Sequence, residues 1–197
     1  MWAPDYVTPD ELKAYLRITD TIDDAQFGPA IAAASRAIDQ HTDRQFGQLE
    51  AAEPMVYTAR WSTARGRWLI EIDDLMTSTG LIVTTVDGPI TFKLYPANAA
   101  VKGKPWTRLL VDQDSAVQPT GDVDEITVTG QFGWLEVPEA VKQAAKLQAG
   151  RVFQRRDALF GVAGSPESGS EVRLLAKVDP DVAVSLRDYV RNAVVFG

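Results

Sequence analysis

The sequence of 197 residues contains no cysteine and a single histidine, His41. The absence of cysteine excludes a disulfide scaffold, a cysteine-ligated zinc site, an iron–sulfur cluster and a thiol nucleophile. One histidine excludes multi-histidine metal sites and most catalytic triads. Together these absences remove most of the common catalytic and metal-binding arrangements.

Long hydrophobic runs are also absent. The longest segment without a charged residue, Leu75–Val86, has 12 residues, whereas a membrane span needs about 20. The N-terminal residues lack the basic start and apolar core of a signal peptide. We therefore expect a soluble protein that is kept in a reducing compartment and has no membrane partner.

Charge is distributed unevenly along the chain, which carries a net charge of −7. Residues 1–50 hold 4 basic and 9 acidic side chains, whereas residues 136–197 hold 9 and 8. A net acidic protein is poorly suited to wrapping nucleic acid, because that affinity comes mainly from Lys and Arg at phosphates. The asymmetry would suit head-to-tail contact between identical copies, and two solvated helical surfaces would explain it equally well.

Both ends of the chain have helical patterns. Thr8 and Glu11 form a capping-box signal for a first helix, and Thr21 with Asp24 gives the start of a second, in which Gly28-Pro29 predicts a kink or a restart. Pro138 suits the first turn of a third helix. A last helix is expected from Asp179-Pro180 onward, with Val182, Leu186, Tyr189, Val190 and Ala193 on one face.

The middle of the chain has the short β-branched and aromatic runs that are typical of antiparallel strands. Six such runs are Met55–Ala59, Trp68–Ile72, Gly80–Val86, Ile90–Tyr95, Arg108–Val111 and Glu125–Thr129. We predict an α+β fold in which an antiparallel β insert, a small sandwich or barrel, interrupts a four-helix domain formed by N- and C-terminal helix pairs. The helical domain is expected at residues 1–50 and 135–197 and the β insert at residues 51–134.

Acidic groups give little sign of catalysis or metal binding. Asp112-Gln113-Asp114 begins like a calcium loop, but Val117 and Val123 occupy the positions that require Gly and Glu. Asp73-Asp74 could be a catalytic carboxylate pair, although a turn at a strand end explains it more simply. We predict no enzyme activity and no catalytic, metal or cofactor-binding residue.

Basic and aromatic residues suggest contact surfaces instead. Arg151 and Arg155 share a helix face, with Arg156 beside them; a solvated face, a protein contact or a nucleic-acid contact remain open. Trp134 is one of five tryptophans, some of which are expected in the core, while any exposed ones would suit an interface.

Three stretches of the chain resemble the head-to-tail connector, or head-completion adaptor, proteins of long-tailed bacteriophages. Residues 7–46, from Val7-Thr8-Pro9-Asp10-Glu11-Leu12 to Asp43-Arg44-Gln45-Phe46, resemble the first two helices of that family. Residues 72–83 are similar to the β insert of its longer members. Residues 133–157 resemble its third helix, and residues 178–182 fit the start of its last helix.

That resemblance implies a structural protein of the virion neck, made in the host bacterial cytoplasm. Family members form a ring, typically of twelve copies, under the portal protein. They extend the DNA channel, through which packaged DNA passes without specific binding, and dock the next neck or tail-completion protein. By analogy, residues 174–197 are expected to contact the portal. The expected interface residues are Arg151, Arg155, Arg156, Trp134, Leu174, Tyr189, Arg191 and Phe196.

Other functions remain as alternatives. A tail terminator or another neck protein would keep the virion location, but tail terminators usually have a β-rich core. A DNA-binding module would use the Arg151–Arg156 helix, and a small hydrolase would use Asp73 or Asp74 with an arginine. Residues 161–173 are expected to form a flexible loop that becomes ordered when a partner binds.

Overall fold

The computed structural model describes residues 3–155, 162–163, 172–173 and 178–191. The chain divides into two compact units at Phe46/Gly47 and at Glu136/Val137. Among the described residues, the helical unit comprises residues 3–46 and those between 137 and 191, and the β unit comprises Gly47–Glu136. The described part of the chain is α+β, with four α-helices and two four-stranded antiparallel sheets.

The helical unit begins with the predicted capping box. The Thr8 hydroxyl accepts a hydrogen bond from the Glu11 backbone N–H at 3.2 Å, and the Glu11 carboxylate accepts one from the Thr8 N–H at 2.8 Å. The Asp179 carboxylate caps the last helix by accepting from the Asp181 N–H at 2.7 Å. The helices are α1 (Pro9–Leu16), α2 (Asp24–Thr42), α3 (Glu139–Gln154) and α4 (Pro180–Ser185), followed by a 3-10 turn at Arg187–Tyr189.

Two helices differ from the prediction. Helix α2 continues through Gly28-Pro29 without a restart. Pro29 has no N–H, so the intrahelical bond to the Ala25 carbonyl is missing. Asp23, rather than Thr21, precedes the first residue of α2. The last helix ends at Ser185, so the predicted helical face does not extend to Val190, whose backbone is extended.

Small residues allow α2 and α3 to pack closely in the helical unit. The Phe27 and Phe153 rings stack with their centroids 4.8 Å apart. Buried alanines lie on both helices: Ala30, Ala34, Ala144, Ala145 and Ala149. Helix α3 also contacts α1 and α4, which contribute Leu12 and Val182 to the same core. Each fully buried large apolar side chain stabilises such a core by about 1.5–3 kcal/mol.

The β unit contains all six predicted strands and two additional short ones. The strands are β1 (Glu53–Tyr57), β2 (Ala59–Ser62), β3 (Arg67–Leu75), β4 (Ile82–Thr85), β5 (Gly88–Pro89), β6 (Phe92–Tyr95), β7 (Trp106–Val111) and β8 (Ile126–Gly130). The first sheet has the order β1-β8-β4-β5, and the second sheet has the order β2-β3-β7-β6. Neither order closes on itself, so the barrel alternative is wrong for the described residues.

The chain enters and leaves the β unit along adjacent, paired segments. Gln48 and Gly133 form an isolated antiparallel bridge, the Leu49 N–H donates to the Phe132 carbonyl at 2.9 Å, and the Trp134 N–H donates to the Gly47 carbonyl at 2.8 Å. The two ends of the unit are therefore held side by side.

Both outer strands of the first sheet contain a proline. Pro54 lies in β1 and Pro89 in β5, and proline offers no N–H to a neighbouring strand. Such residues are typical of strands at the edge of a sheet.

The segment after α3 contains a short strand pair. Val162–Ala163 (β9) and Val172–Arg173 (β10) pair in antiparallel fashion. The sequence predicts a flexible loop here, whereas the backbones of these four residues pair as two short strands. The rest of residues 156–177 lie outside the described ranges.

Candidate assembly interface

Arg151 joins α3 to the start of α4. Its guanidinium forms an ion pair with the Asp179 carboxylate, and the Asp179 N–H donates to the Gln148 side chain at 3.3 Å. Since Asp179 also caps α4, Arg151 helps to hold that helix in place. Arg155, at the end of α3, is partly exposed, as is Arg151. Arg156 lies outside the described residues.

The C-terminal candidates take part in contacts inside the helical unit. The Tyr189 ring packs edge-on against Phe46 with a centroid distance of 5.8 Å. The Arg191 backbone N–H donates to the Thr42 carbonyl at 2.8 Å. Leu174 and Phe196 lie outside the described residues.

Trp134 must be removed from the set of surface candidates. Its side chain is only 5% exposed, and its indole Nε1 donates to the Asp74 carboxylate at 2.6 Å. The buried indole gives a buried carboxylate a donor, so Trp134 belongs to the interior of the β unit.

Asp73 and Asp74 are separated by the geometry of β3. Both lie inside this strand rather than in a turn at its end, and successive side chains of a strand point to opposite faces. Asp73 is exposed and accepts from the Tyr57 hydroxyl at 2.9 Å, whereas Asp74 is 6% exposed and bonds Trp134. The two carboxylates do not form a catalytic pair.

The loop that begins like a calcium site is stabilised by its own hydrogen bonds. Burial raises the pKa of Glu125, but hydrogen bonds from Thr120, Gly121 and Asp122 outweigh it, and the pKa is lowered overall. Asp112 lies 3.6 Å from the Lys93 ammonium. Within the described ranges, no group of three or more histidine or acidic side chains could hold a metal ion.

A buried polar cluster fastens the segment before α1 onto α2. The Tyr6 hydroxyl donates to Asp39 and accepts from the Phe46 N–H at 3.0 Å, while Arg36 pairs with Asp39 at 2.9 Å. Burial and the hydrogen bond to Asp39 raise the pKa of Tyr6. Burial also raises the pKa of Asp39, against the opposing effects of Tyr6 and Arg36.

Sequence reasoning missed a basic surface on the second sheet. Cross-strand pairing places Arg60 beside Leu69, and it places Arg108 between Glu71 and Tyr95. Arg65, in the turn before β3, lies over the Tyr95 ring at 4.6 Å. We call this surface the basic sheet face and define it by five residues: Arg60, Arg65, Arg67, Lys93 and Arg108. The alternation of side chains along each single strand was the signal available in the sequence. The strand pairing that brings these residues onto one face joins positions far apart in the chain.

The outward side of the first sheet has the opposite character. The strand register aligns uncharged side chains across β1, β8 and β4, among them Val56 and Ile82, which are 59% and 55% exposed. This uncharged sheet face consists of Pro54, Val56, Ile82, Thr84, Thr127 and Thr129. The β unit therefore presents one basic and one uncharged surface.

Neither known family models nor curated proteins match this sequence, but solved structures do. One match is a chain from the neck of an empty GTA particle computed with C6 symmetry, with 17% identity and a TM-score of 0.59. A second comes from the neck of a native GTA particle computed with C12 symmetry, with 16% identity and a TM-score of 0.52. A third comes from the virion of a native gene transfer agent (GTA) particle, with 20% identity and a TM-score of 0.52.

Each of these alignments covers 100% of this chain and 96% of the other. The shared feature is the whole fold, with its helical and β parts. At the level of the fold, the resemblance to neck proteins that the sequence indicates is confirmed. The matched chains come from structural assemblies, a non-enzymatic class.

In the part of the chain that the structure describes, no helix has both the length and the apolar character that crossing a membrane requires.

Proposed function

We propose that this chain is a non-enzymatic structural protein of a virion neck. It acts as a head-to-tail connector that forms a ring under the portal, extends the DNA channel and docks the next neck or tail-completion protein. The observation that carries this proposal is a fold likeness over the full chain to components of two GTA neck structures. The connector-like residues at 7–46, 72–83 and 133–157 support it independently.

The proposal assigns separate roles to the two parts of the chain. The helical domain, residues 1–50 and 135–197, builds the ring as a four-helix arrangement, and residues 174–197 contact the portal. The β insert, residues 51–134, adds a surface for neighbouring copies. C6 and C12 symmetry in the matched neck structures supports a ring, for which we propose twelve copies. A net charge of −7 suits a channel through which DNA slides without being held.

Quantitative mass spectrometry of purified particles tests this function. We expect about one copy of this chain for each portal subunit, because a ring docked on the portal matches its symmetry. The major capsid protein provides the internal reference for particle number. Absence of the chain from intact particles would refute the connector function.

Arg155 and Arg156 are the proposed interface residues on α3 and just after it. Reversing both charges, Arg155→Glu with Arg156→Glu, is expected to lower incorporation into particles without unfolding the protein, because Arg155 is partly exposed and charges at the surface contribute little to folding stability. Lys102→Glu with Lys104→Glu, at two exposed positions outside residues 174–197, is the charge-matched control. Normal incorporation of the double variant would exclude both arginines from the interface.

A further inference from the structure

The basic sheet face is a concentrated positive surface on an acidic protein. Five cationic side chains share this face with the carboxylates of Glu71 and Asp112, although the chain carries a net charge of −7. Arg60, Arg65 and Lys93 are exposed, and Arg67 and Arg108 are partly exposed. Such a surface attracts a partner of negative charge.

Neighbouring side chains orient the cations of this face. The Arg65 guanidinium lies 4.6 Å from the centre of the Tyr95 ring and donates to the Tyr95 hydroxyl at 3.2 Å. Arg108 lies 5.9 Å from the same ring centre and 3.8 Å from the Glu71 carboxylate. Guanidinium groups held in this way lose less conformational freedom when they bind carboxylates.

A shallow concavity lies on the basic sheet face. Thr58, Arg60, Leu69 and Glu71 line it, and Leu69 itself is only 4% exposed. The surface therefore combines space for one small side chain with surrounding cations. A complementary partner would present an apolar side chain between carboxylates.

The turn between α1 and α2 presents that combination. We define Asp20–Asp24 as the acidic turn; it contains three carboxylates and Ile22, which is 86% exposed. The Asp20 carboxylate accepts from the Ile22 N–H at 3.1 Å, and this bond fixes the carboxylate beside the apolar side chain. Asp24 pairs with Lys13 at 2.6 Å and retains 48% side-chain exposure.

We propose that the acidic turn of one copy docks on the basic sheet face of the next copy. Ile22 enters the concavity that Thr58, Leu69 and Glu71 line, and the carboxylates meet the guanidinium groups of Arg60 and Arg67. Because the two surfaces differ, the contact is heterologous, and repeated contacts of this kind close a ring or continue as a filament. This inference rests on the ring of the proposed function and names the surfaces that build it.

Complementary variants of the full chain test the contact in solution by sedimentation velocity at low and high salt. We expect Arg60→Glu with Arg67→Glu to weaken self-association about tenfold, and Asp20→Arg with Ile22→Ser to do the same. Each variant retains one intact surface, so a mixture of the two is expected to associate under conditions in which neither variant alone does. Asp87→Arg and the double change Lys102→Glu with Lys104→Glu, all at exposed positions, are the charge-matched controls.

Three results in solution would overturn the proposal. One is wild-type protein that stays monomeric at low salt; another is association that survives both sets of changes. The third is salt-sensitive binding of duplex DNA that Arg60→Glu with Arg67→Glu abolishes and Asp20→Arg leaves intact, because this would make the basic sheet face a nucleic-acid surface.

Engineered cysteines test the same contact in assembled particles, since the chain has no cysteine of its own. We expect the variant with Ile22→Cys and Glu71→Cys to give a ladder of disulfide-linked multimers on mild oxidation, while either single variant gives dimers at most. Absence of a ladder from particles that contain the chain at portal copy number would overturn this contact and leave the proposed function standing. Absence of the chain itself would refute the proposed function instead.

Discussion

At the scale of single residues, Asp74 and Trp134 form a polar contact in the interior of the β unit. Both side chains are almost fully buried, and the indole donates to the carboxylate at 2.6 Å. A buried acceptor that loses its hydrogen-bond donor still carries the free-energy cost of its removal from water. The contact thus joins β3 to the segment that leaves the β unit.

Trp134→Phe is expected to lower the free energy of unfolding by about 1–3 kcal/mol, because it removes the donor to Asp74 and retains most of the aromatic volume. Urea denaturation monitored by circular dichroism measures this change. Trp61→Phe, at a side chain that is 51% exposed, is the matched control and should change stability by about 0.5 kcal/mol or less. Equal stability of the two variants would contradict the proposed importance of the Asp74 contact.

The raised pKa of Tyr6 predicts a dependence of stability on alkaline pH. The unfolded chain loses the Tyr6 proton near the ordinary pKa of 10.0, whereas the folded chain keeps it to higher pH. The folded state therefore binds more protons in this range, and its stability falls as pH rises above about 10.

Tyr6→Phe removes this titration and also the hydrogen bond to Asp39. We expect the variant to be less stable than the wild type at neutral pH, and the difference to shrink between about pH 9 and pH 11. Urea midpoints measured across this range test the expectation. Parallel pH profiles for the two proteins would show that the Tyr6 pKa is not raised on folding.

At the scale of secondary-structure elements, Gly133 lets two segments of the β unit cross closely. Its φ angle is +110°, and an added Cβ would clash with the Gly47 carbonyl oxygen. Gly133→Ala should therefore destabilise the β unit by about 2 kcal/mol more than Gly80→Ala. Gly80 also has a positive φ, +71°, but open space at its Cβ position.

Thermal unfolding of both glycine variants measures the difference. Similar melting temperatures would mean that the close approach at Gly133 relaxes at little cost.

Elements defined by local signals were predictable from the sequence, whereas their pairing was not. The capping box at Thr8 and the start of α4 at Asp179 depend on residues a few positions apart, and both are confirmed. The basic sheet face depends on partners far apart in the chain, such as Glu71 and Arg108. The buried contact of Trp134 likewise depends on Asp74, sixty positions earlier in the chain. Nothing near Trp134 in the sequence indicates this contact, so the residue type alone suggested an interface.

At the scale of the whole molecule, the paired ends of the β unit predict that it folds alone. Gly47–Glu136, expressed by itself, is expected to unfold cooperatively, because its two ends are joined by hydrogen bonds within the unit. Urea denaturation followed by both far-ultraviolet circular dichroism and tryptophan fluorescence tests this. Transitions that do not coincide, or a spectrum without β structure, would contradict independent folding.

The prolines in the outer strands of the first sheet have a consequence for assembly. The proposed ring would hold many copies of the same sheet at high local concentration, a condition under which exposed strand edges can recruit one another into fibrils. Pro54 and Pro89 lack the backbone N–H groups that an incoming strand would need at these positions. The two outer strands thereby disfavour growth through backbone pairing, and in the proposed ring the side chains would determine which copies associate and where association stops.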